Sequence, residues 1–216
     1  MEIIKKMKEA NAEDITTYCI PIDFQGKKLG RLRPITVDSL TNNTEIEMIT
    51  KWRQNNQQFF TTQFNVSVKG TKKWLENAIL QSNGRILFMV ENEEQIPIGH
   101  VGLCEIDDKN KYCLFDNILR GDTNYFKGGM KLACSKLLDW CFRVLDMETI
   151  YLQVLSDNSR AINLYKELGF QEIQLMPLMN QIKDGVTIWV PVINQPYYEV
   201  KKYLLTMRLS RSIYPK

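Results

Sequence analysis

Two residues seven positions apart, Asn158 and Tyr165, open the chemical reading of this chain. Seven residues are two helical turns, so an amide and a phenol share one helix face, with the small Ala161 between them. Such a face offers a slot for an extended polar ligand. The same residues also suit a plainer arrangement, with Tyr165 in a core and Asn158 as a cap, and periodicity alone favours that. A second group lies upstream, where Lys127-Gly128-Gly129-Met130 leads into a long helical pattern. Successive backbone N–H groups at a helix N-terminus bind anions, and glycines let a phosphate come close. Lys127 adds a positive charge. Taken alone, a Gly-Gly pair before a helix is usually a turn.

Three groups could act as a general base. Asp116 lies in an apolar strand pattern with Leu114 and Ile118 on its face, where a charged carboxylate is costly to hold. His100, the single histidine, belongs to the residue type whose ordinary pKa suits base catalysis near neutrality. Glu105 falls on the opposite strand face from His100, so both aim at one site only if a bulge intervenes. Each could instead make a structural hydrogen bond or face solvent. Further upstream, Arg53 could hold a phosphate or carboxylate, and Phe59 and Phe60 could stack on a ring. An aromatic-packed helix end explains them equally well.

The elements that must position these groups follow from the apolar periods. Thr149 to Leu155 reads as a strand, Asp157 as the N-cap of the next helix, and Gly169 as its left-handed C-terminal residue, with Phe170 packing back. A helix is expected from about Thr44 to Gln54, opened by a Thr44/Glu47 capping box and striped by Ile46, Ile49 and Trp52. Another opens at Thr71, with Trp74, Leu75, Ala78 and Ile79 on one side. Residues 15–35 read as two extended pieces around Gln25-Gly26-Lys27. Strands at Ile86–Val90, Ile96–Ile106 and Tyr112–Leu119 form an antiparallel meander. A helix from about Gly129 to Val144 buries Met130, Ala133, Leu137, Cys141 and Val144. Strand, helix, strand at this spacing is a right-handed crossover, which makes the strands at Tyr112 and Thr149 parallel neighbours. Strands at Phe170–Met179 and Tyr203–Leu209 complete the sheet. The expected fold is a single α/β domain over 1–216. It has a mixed, mainly antiparallel sheet, helices on both faces and one parallel strand pair.

Composition narrows the function classes. A net charge of +3 gives no reason to expect a nucleic-acid surface. The five cysteines, Cys19, Cys104, Cys113, Cys134 and Cys141, show no CxxC pair, and one histidine cannot build a multi-histidine metal site. Four of the cysteines fall in apolar patterns and read as buried thiols. With no leader pattern and no membrane-length apolar run, the expectation is a cytoplasmic protein with no membrane partner.

The run Ser156-Asp157-Asn158 to Ala161-Ile162, Tyr165 and Leu168-Gly169-Phe170 resembles the acetyl-CoA-binding helix of the GNAT acyltransferase superfamily. The order of elements extends the resemblance over most of the chain. It implies an enzyme that moves an acetyl group from acetyl-CoA to a primary amine. It implies that Asn158 bonds the pantetheine arm, that Tyr165 protonates the departing thiolate, and that backbone groups at Ile118, Leu119 and Arg120 hold the thioester. The pyrophosphate would sit on Lys127, Gly128, Gly129 and Met130, although the family pattern Gln/Arg-x-x-Gly-x-Gly/Ala is met only in part: Tyr125 stands at the Gln/Arg position and Met130 at the last small one. Asp116, His100 or a water chain would serve as base, and Arg53 and Phe60 would meet the acceptor. The Trp52-Arg53 pair, the IGHVGL strand and the FDNILRG strand resemble members that acetylate amino sugars on nucleotide carriers. A protein N-terminus, a ribosomal protein or a polyamine are other acceptors, the last disfavoured by an acceptor region that is not markedly acidic. A non-catalytic acyl-CoA-binding module has no need of the phenol. The resemblance also allows a homodimer.

Overall fold

In the computed structural model, which describes residues 2–121, 124, 126–193 and 200–214, the chain alternates helices and strands around one sheet. In chain order the elements are α1 (Glu2–Glu9), β1 (Ile20–Phe24), β2 (Lys27–Pro34), α2 (Asn43–Asn56), β3 (Thr62–Gln63) and α3 (Val68–Trp74). They continue with β4 (Ile86–Asn92), β5 (Pro97–Asp107), β6 (Tyr112–Arg120), α4 (Gly129–Arg143), β7 (Thr149–Leu155), α5 (Ser159–Glu167), β8 (Gln171–Lys183), β9 (Val186–Pro191) and β10 (Lys202–Ser210). Among the described residues the ten strands form one sheet in the order β1-β2-β4-β5-β6-β7-β10-β8-β9-β3. All pairings are antiparallel except β6 with β7. This is the expected class, a mixed sheet with one parallel pair.

The centre of the sheet is buried on both faces, which is why β4 reads as an unbroken apolar run rather than an alternation. Phe88 and Val90 pack with Leu32, Val101 and Leu137 into the larger core, together with Ile4 of α1 and Leu168 after α5. Leu87 and Met89 point the other way, into a second core with Ile46, Ile49, Trp52, Leu75 and Ile79. Helices therefore cover both faces. No helix among the described residues is long and apolar enough to cross a membrane.

Several boundaries differ from those expected. The first expected helix starts one residue earlier, because Asn42 caps it by accepting from Glu45 N–H at 3.1 Å, displacing the expected Thr44/Glu47 box. Its first turn is pinned to the sheet by a buried ion network: Glu91 holds Arg31 and Arg33, and Arg33 reaches Glu45, each at 2.6 Å. The second helix opens at Val68 with Ser67 as cap, not at Thr71, and runs into a π turn over Leu75–Leu80. Lys8 of α1, which the sequence reading did not place in a helix, closes that turn by donating to the Ile79 carbonyl at 2.7 Å. Ile15–Tyr18 is a 3₁₀ turn rather than extended chain. Val144, expected on the buried face of α4, is 56% exposed just past the helix end. Cys104, Cys113, Cys134 and Cys141 are buried thiols, as expected. The hairpin β8–β9 continues beyond the expected strand, and β9 pairs with β3, in the loop that carries Phe59 and Phe60.

Candidate active site

The site begins where two strands stop pairing. β6 and β7 pair over three residues, Tyr112↔Thr149, Cys113↔Ile150 and Leu114↔Tyr151, while both continue for several residues more. The unpaired ends leave a wedge in the sheet. A cleft of about 490 Å³ opens there, lined by Phe115 to Arg120 of β6, Gln153 and Val154 of β7, and one face of α5. Chain edges in such a wedge keep backbone N–H and C=O groups for a ligand.

Helix α5 presents the amide and the phenol as expected, but its cap differs. Asn158 caps the helix, its Oδ1 accepting from Ala161 N–H at 3.2 Å. Asp157, expected in that role, instead pairs with Lys202 at 2.6 Å. The Asn158 Nδ2 is therefore the end of the amide that can meet a ligand. At the far end, Gly169 has φ +94°, and the Gly169 and Phe170 N–H groups bond the Lys166 and Tyr165 carbonyls at 3.0 Å each. This double bond pattern with a left-handed glycine is a Schellman motif, and its apolar contact is Phe170 against the Tyr165 ring, 6.2 Å between centroids. The helix stop thus fixes the ring. Tyr165 is 5% exposed and lines the cleft, and its hydroxyl makes no hydrogen bond among the described residues. Burial, with Cys134 and Asp116 nearby, raises its pKa, so the phenol stays protonated.

The loop before α4 is partly as expected. Gly128, the left-handed N-cap at φ +79°, lines the cleft, as does Met130. Gly129 donates its N–H back to Phe126 at 2.9 Å, and a Cβ on it would lie 2.5 Å from the Phe126 ring. Its glycine thus serves packing rather than phosphate approach. The N–H groups of Met130 and Lys131 have no intrahelical partner by position. Lys127 is exposed and does not line the cleft; Lys131, one turn on, does, as do Arg120 and Arg160. Sequence reading missed Lys131 and Arg160, although each sits in the first turn of a helix that borders the wedge. Asp122, Thr123 and Tyr125 of the loop lie outside the described residues.

At the other end of the cleft a bulge governs the geometry. His100 faces Leu119 and Gly102 faces Asp116, so Asn117 and Ile118 together oppose Val101. Asn117 takes φ +53°. Its Nδ2 donates to Asp116 Oδ2 at 2.6 Å, and its carbonyl accepts from His100 Nδ1 at 2.6 Å. The bulge also corrects the expected face: Ile118 packs with Phe115 on the larger core instead of lying beside Asp116. Asp116 is half-buried in the cleft next to the Cys104 thiol, whose pKa is pushed up to about 12 by burial and then by that carboxylate. Glu105, in a left-handed conformation at φ +48° and exposed, does not line the cleft.

His100 is 1% exposed and lies 6.4 Å, centroid to centroid, from both Trp52 and Trp74. Burial lowers its pKa to about 4, against the pull of the Asn117 carbonyl and with a further push from Arg53. The ring is neutral near pH 7, which removes the advantage an ordinary imidazole pKa would give a base. Because a carbonyl only accepts, Nδ1 carries the proton, and Nε2 is a buried lone pair without a partner among the described residues. Trp52 keeps its place beside the ring because Gly121 has no side chain; a Cβ there would lie 1.9 Å from the indole. Phe60 lines the cleft, together with Phe59 and Asn56, but Arg53 does not. Its guanidinium is sandwiched, 4.0 Å from the Trp74 centroid and 5.2 Å from that of Phe60, and the residue is 8% exposed. No ion pair or hydrogen bond to Arg53 is found among the described residues, and burial lowers its pKa while Asp116 raises it.

Comparison with known proteins agrees with this geometry. A family profile described as Acetyltransferase (GNAT) domain matches residues 31–171. The chain is 30% identical over 140 residues to spermidine N(1)-acetyltransferase of Vibrio cholerae, spanning 64% of this chain and 74% of that protein. It is 28% identical over 131 residues to acetyltransferase PseH of Campylobacter jejuni, spanning 60% and 78%. Among solved structures, spermidine N-acetyltransferase from Vibrio cholerae in complex with CoA and spermine superposes with a TM-score of 0.61 at 22% identity, covering 84% of this chain and 95% of that one. A dodecameric form of the same enzyme gives 0.57 at 23% identity, covering 84% and 93%.

Proposed function

The chain belongs to the GNAT acetyltransferase family, and we propose that it transfers acetyl from acetyl-CoA to a primary amine on a sugar carried by a nucleotide. The cleft's charges carry this reading. Among the described lining residues, Arg120, Lys131 and Arg160 are basic and Asp116 is the one carboxylate. Such a lining suits a polyanionic co-substrate and an acceptor that is not a polycation. Phe59 and Phe60 give the acceptor end flat apolar surface.

The residues fit CoA. The wedge, the left-handed Gly128 and the free Met130 and Lys131 N–H groups would take its phosphates and arm, with Asn158 Nδ2 on the pantetheine and Ile118 and Leu119 backbone groups on the thioester. CoA chemistry supplies a carbonyl open to attack and a thiolate as leaving group. Asp116, held by Asn117 at 2.6 Å, takes the ammonium proton, and the Tyr165 hydroxyl meets the departing sulfur. Retention of that phenol, placed in the cleft without a hydrogen-bond partner among the described residues, supports an enzyme over a binding module. An acetyl-CoA requirement supports a cytoplasmic location.

Thiol release from acetyl-CoA tests the reading against UDP-glucosamine, spermidine and a peptide with a free N-terminus. UDP-linked amino sugars should give a kcat/KM at least tenfold above spermidine. A tenfold preference for spermidine, in keeping with the Vibrio relative, would replace the sugar by a polyamine.

A further inference from the structure

His100 is the buried polar group that the reaction leaves unused. Its tautomer is fixed: Nδ1–H donates to the Asn117 carbonyl at 2.6 Å, and that carbonyl is held by a bulge residue at φ +53°. Nε2 is then an acceptor only. It is buried without a partner among the described residues, and His100 lines the cleft. A buried acceptor left unpaired is unfavourable, so a structure that keeps one beside a ligand cleft invites a ligand donor.

The surroundings decide which donor. Trp52 and Trp74 flank the ring at 6.4 Å, and Arg53 lies on Trp74 at 4.0 Å. Among the described residues, the charged groups felt at this corner are Arg53 from α2 and Asp116 from β6, which form no ion pair with each other. An ammonium brought to Nε2 would lie beside a buried guanidinium. A hydroxyl carries no charge, can donate to Nε2, and comes on a ring whose C–H face packs on aromatic side chains. We propose that His100 is a specificity residue: its Nε2 accepts a hydrogen bond from a hydroxyl of the acceptor sugar, so the site selects hydroxylated rings over polyamines. The assignment rests on the acetyltransferase reading above and reassigns His100 from base to recognition.

Because His100 is the only histidine, long-range ¹H–¹⁵N spectra of the ring need no assignment. They should show a protonated Nδ1, a bare Nε2 and no titration between pH 5 and 8. In the presence of CoA, UDP-glucosamine should move the Nε2 resonance and spermidine should not. A protonated Nε2, a titration near pH 6.5, a shift with spermidine, or no shift with UDP-glucosamine would each overturn the proposal. In kinetics, His100→Leu should lower kcat/KM for UDP-glucosamine about tenfold to a hundredfold, the range of one lost hydrogen bond in a buried site. His100→Gln, which keeps an acceptor oxygen, should stay within about threefold of wild type. Equal losses in the two variants would mean that the ring only packs. If His100→Leu does not fold, the spectra and His100→Gln decide alone. Thermal stabilisation by acetyl-CoA is measured on the same samples. Its absence would fail the acetyltransferase reading itself, whereas stabilisation without the Nε2 response would fail only this one.

Discussion

Replacing Tyr165 by Phe removes one oxygen from the centre of the site, and the structure sets what that oxygen is worth. The ring is 5% exposed and packs on Phe170, contacts that phenylalanine keeps. The hydroxyl makes no hydrogen bond within the described protein, so no partner is orphaned by its loss. With no hydrogen bond to break and the ring packing kept, the variant should melt close to the wild-type temperature. Catalysis should respond quite differently. The phenol pKa is raised by burial, so Tyr165 stays protonated, and under the proposed function it is that proton the leaving sulfur would take. Loss of a positioned acid costs about tenfold to a thousandfold in kcat. Acetyl-CoA affinity should change by less than about threefold, because Asn158 and the α4 N-terminus are untouched. Stopped thiol-release assays at saturating acetyl-CoA, with calorimetry for binding and a melting curve for stability, separate the three quantities. Wild-type turnover in a folded Tyr165→Phe would remove the phenol from the mechanism. A drop in melting temperature with kcat unchanged would make it a core tyrosine.

Three further outcomes follow from the geometry. Gly128→Val should weaken acetyl-CoA more than Lys127→Ala, since a β-branched residue at φ +79° strains the N-cap by about 1–2 kcal/mol while Lys127 lies off the cleft; calorimetry showing the reverse order would mean the loop is misread. Arg53→Ala should raise the acceptor KM and leave acetyl-CoA affinity nearly unchanged, because it takes away a charge and a stacking partner behind Phe60; loss of acetyl-CoA binding with normal acceptor kinetics would contradict it. For His100, with its pKa lowered from 6.5 to about 4, the unfolded chain binds a proton that the folded chain refuses, so stability should fall as pH drops through that window. The contribution is up to about 3 kcal/mol, and His100→Gln should flatten that limb in denaturant titrations between pH 4 and 6.5.

The parts that were legible are those in which one local rule decides. The strand at Ile86 is an unbroken apolar run between turn residues, the helix at Gly129 carries a period of 3.6, and the Gly169 stop needs only a left-handed residue followed by an apolar one. The Asn158–Tyr165 pair was legible because helix geometry alone places both on one face. What escaped depends on partners far along the chain. Lys8 is buried by carbonyls more than seventy residues away, and no local pattern announces that a lysine will close a π turn. β9 reads poorly because its residues are only half-buried and its second partner is the two-residue β3. Lys127 was chosen because it stands next to the glycines, yet it is Lys131, in the first turn of α4, that lines the cleft. Arg53 was expected to meet the acceptor, but it lies off the cleft lining, and its enclosure by Trp74 and Phe60 is a tertiary fact.

The bulge at Asn117 is where strict alternation failed, and the residue type held a signal that alternation discards. A non-glycine residue in the left-handed region is uncommon, and asparagine is among those that tolerate it best. The left-handed turn does three things together. It sends Ile118 to the core face and leaves Leu119 opposite His100. It aims a carbonyl at His100 Nδ1, which fixes the tautomer. It also lets the Asn117 amide hold Asp116. Glycine would satisfy the backbone but leave Asp116 without its 2.6 Å donor. Aspartate would set a second carboxylate against the first. A β-branched residue, the usual choice for a strand, would resist the conformation. An Asp-Asn pair inside an otherwise apolar strand therefore marks a bend that serves the site, and the polarity that looks like a flaw in β6 is what lets a regular strand hold an acid and aim a histidine.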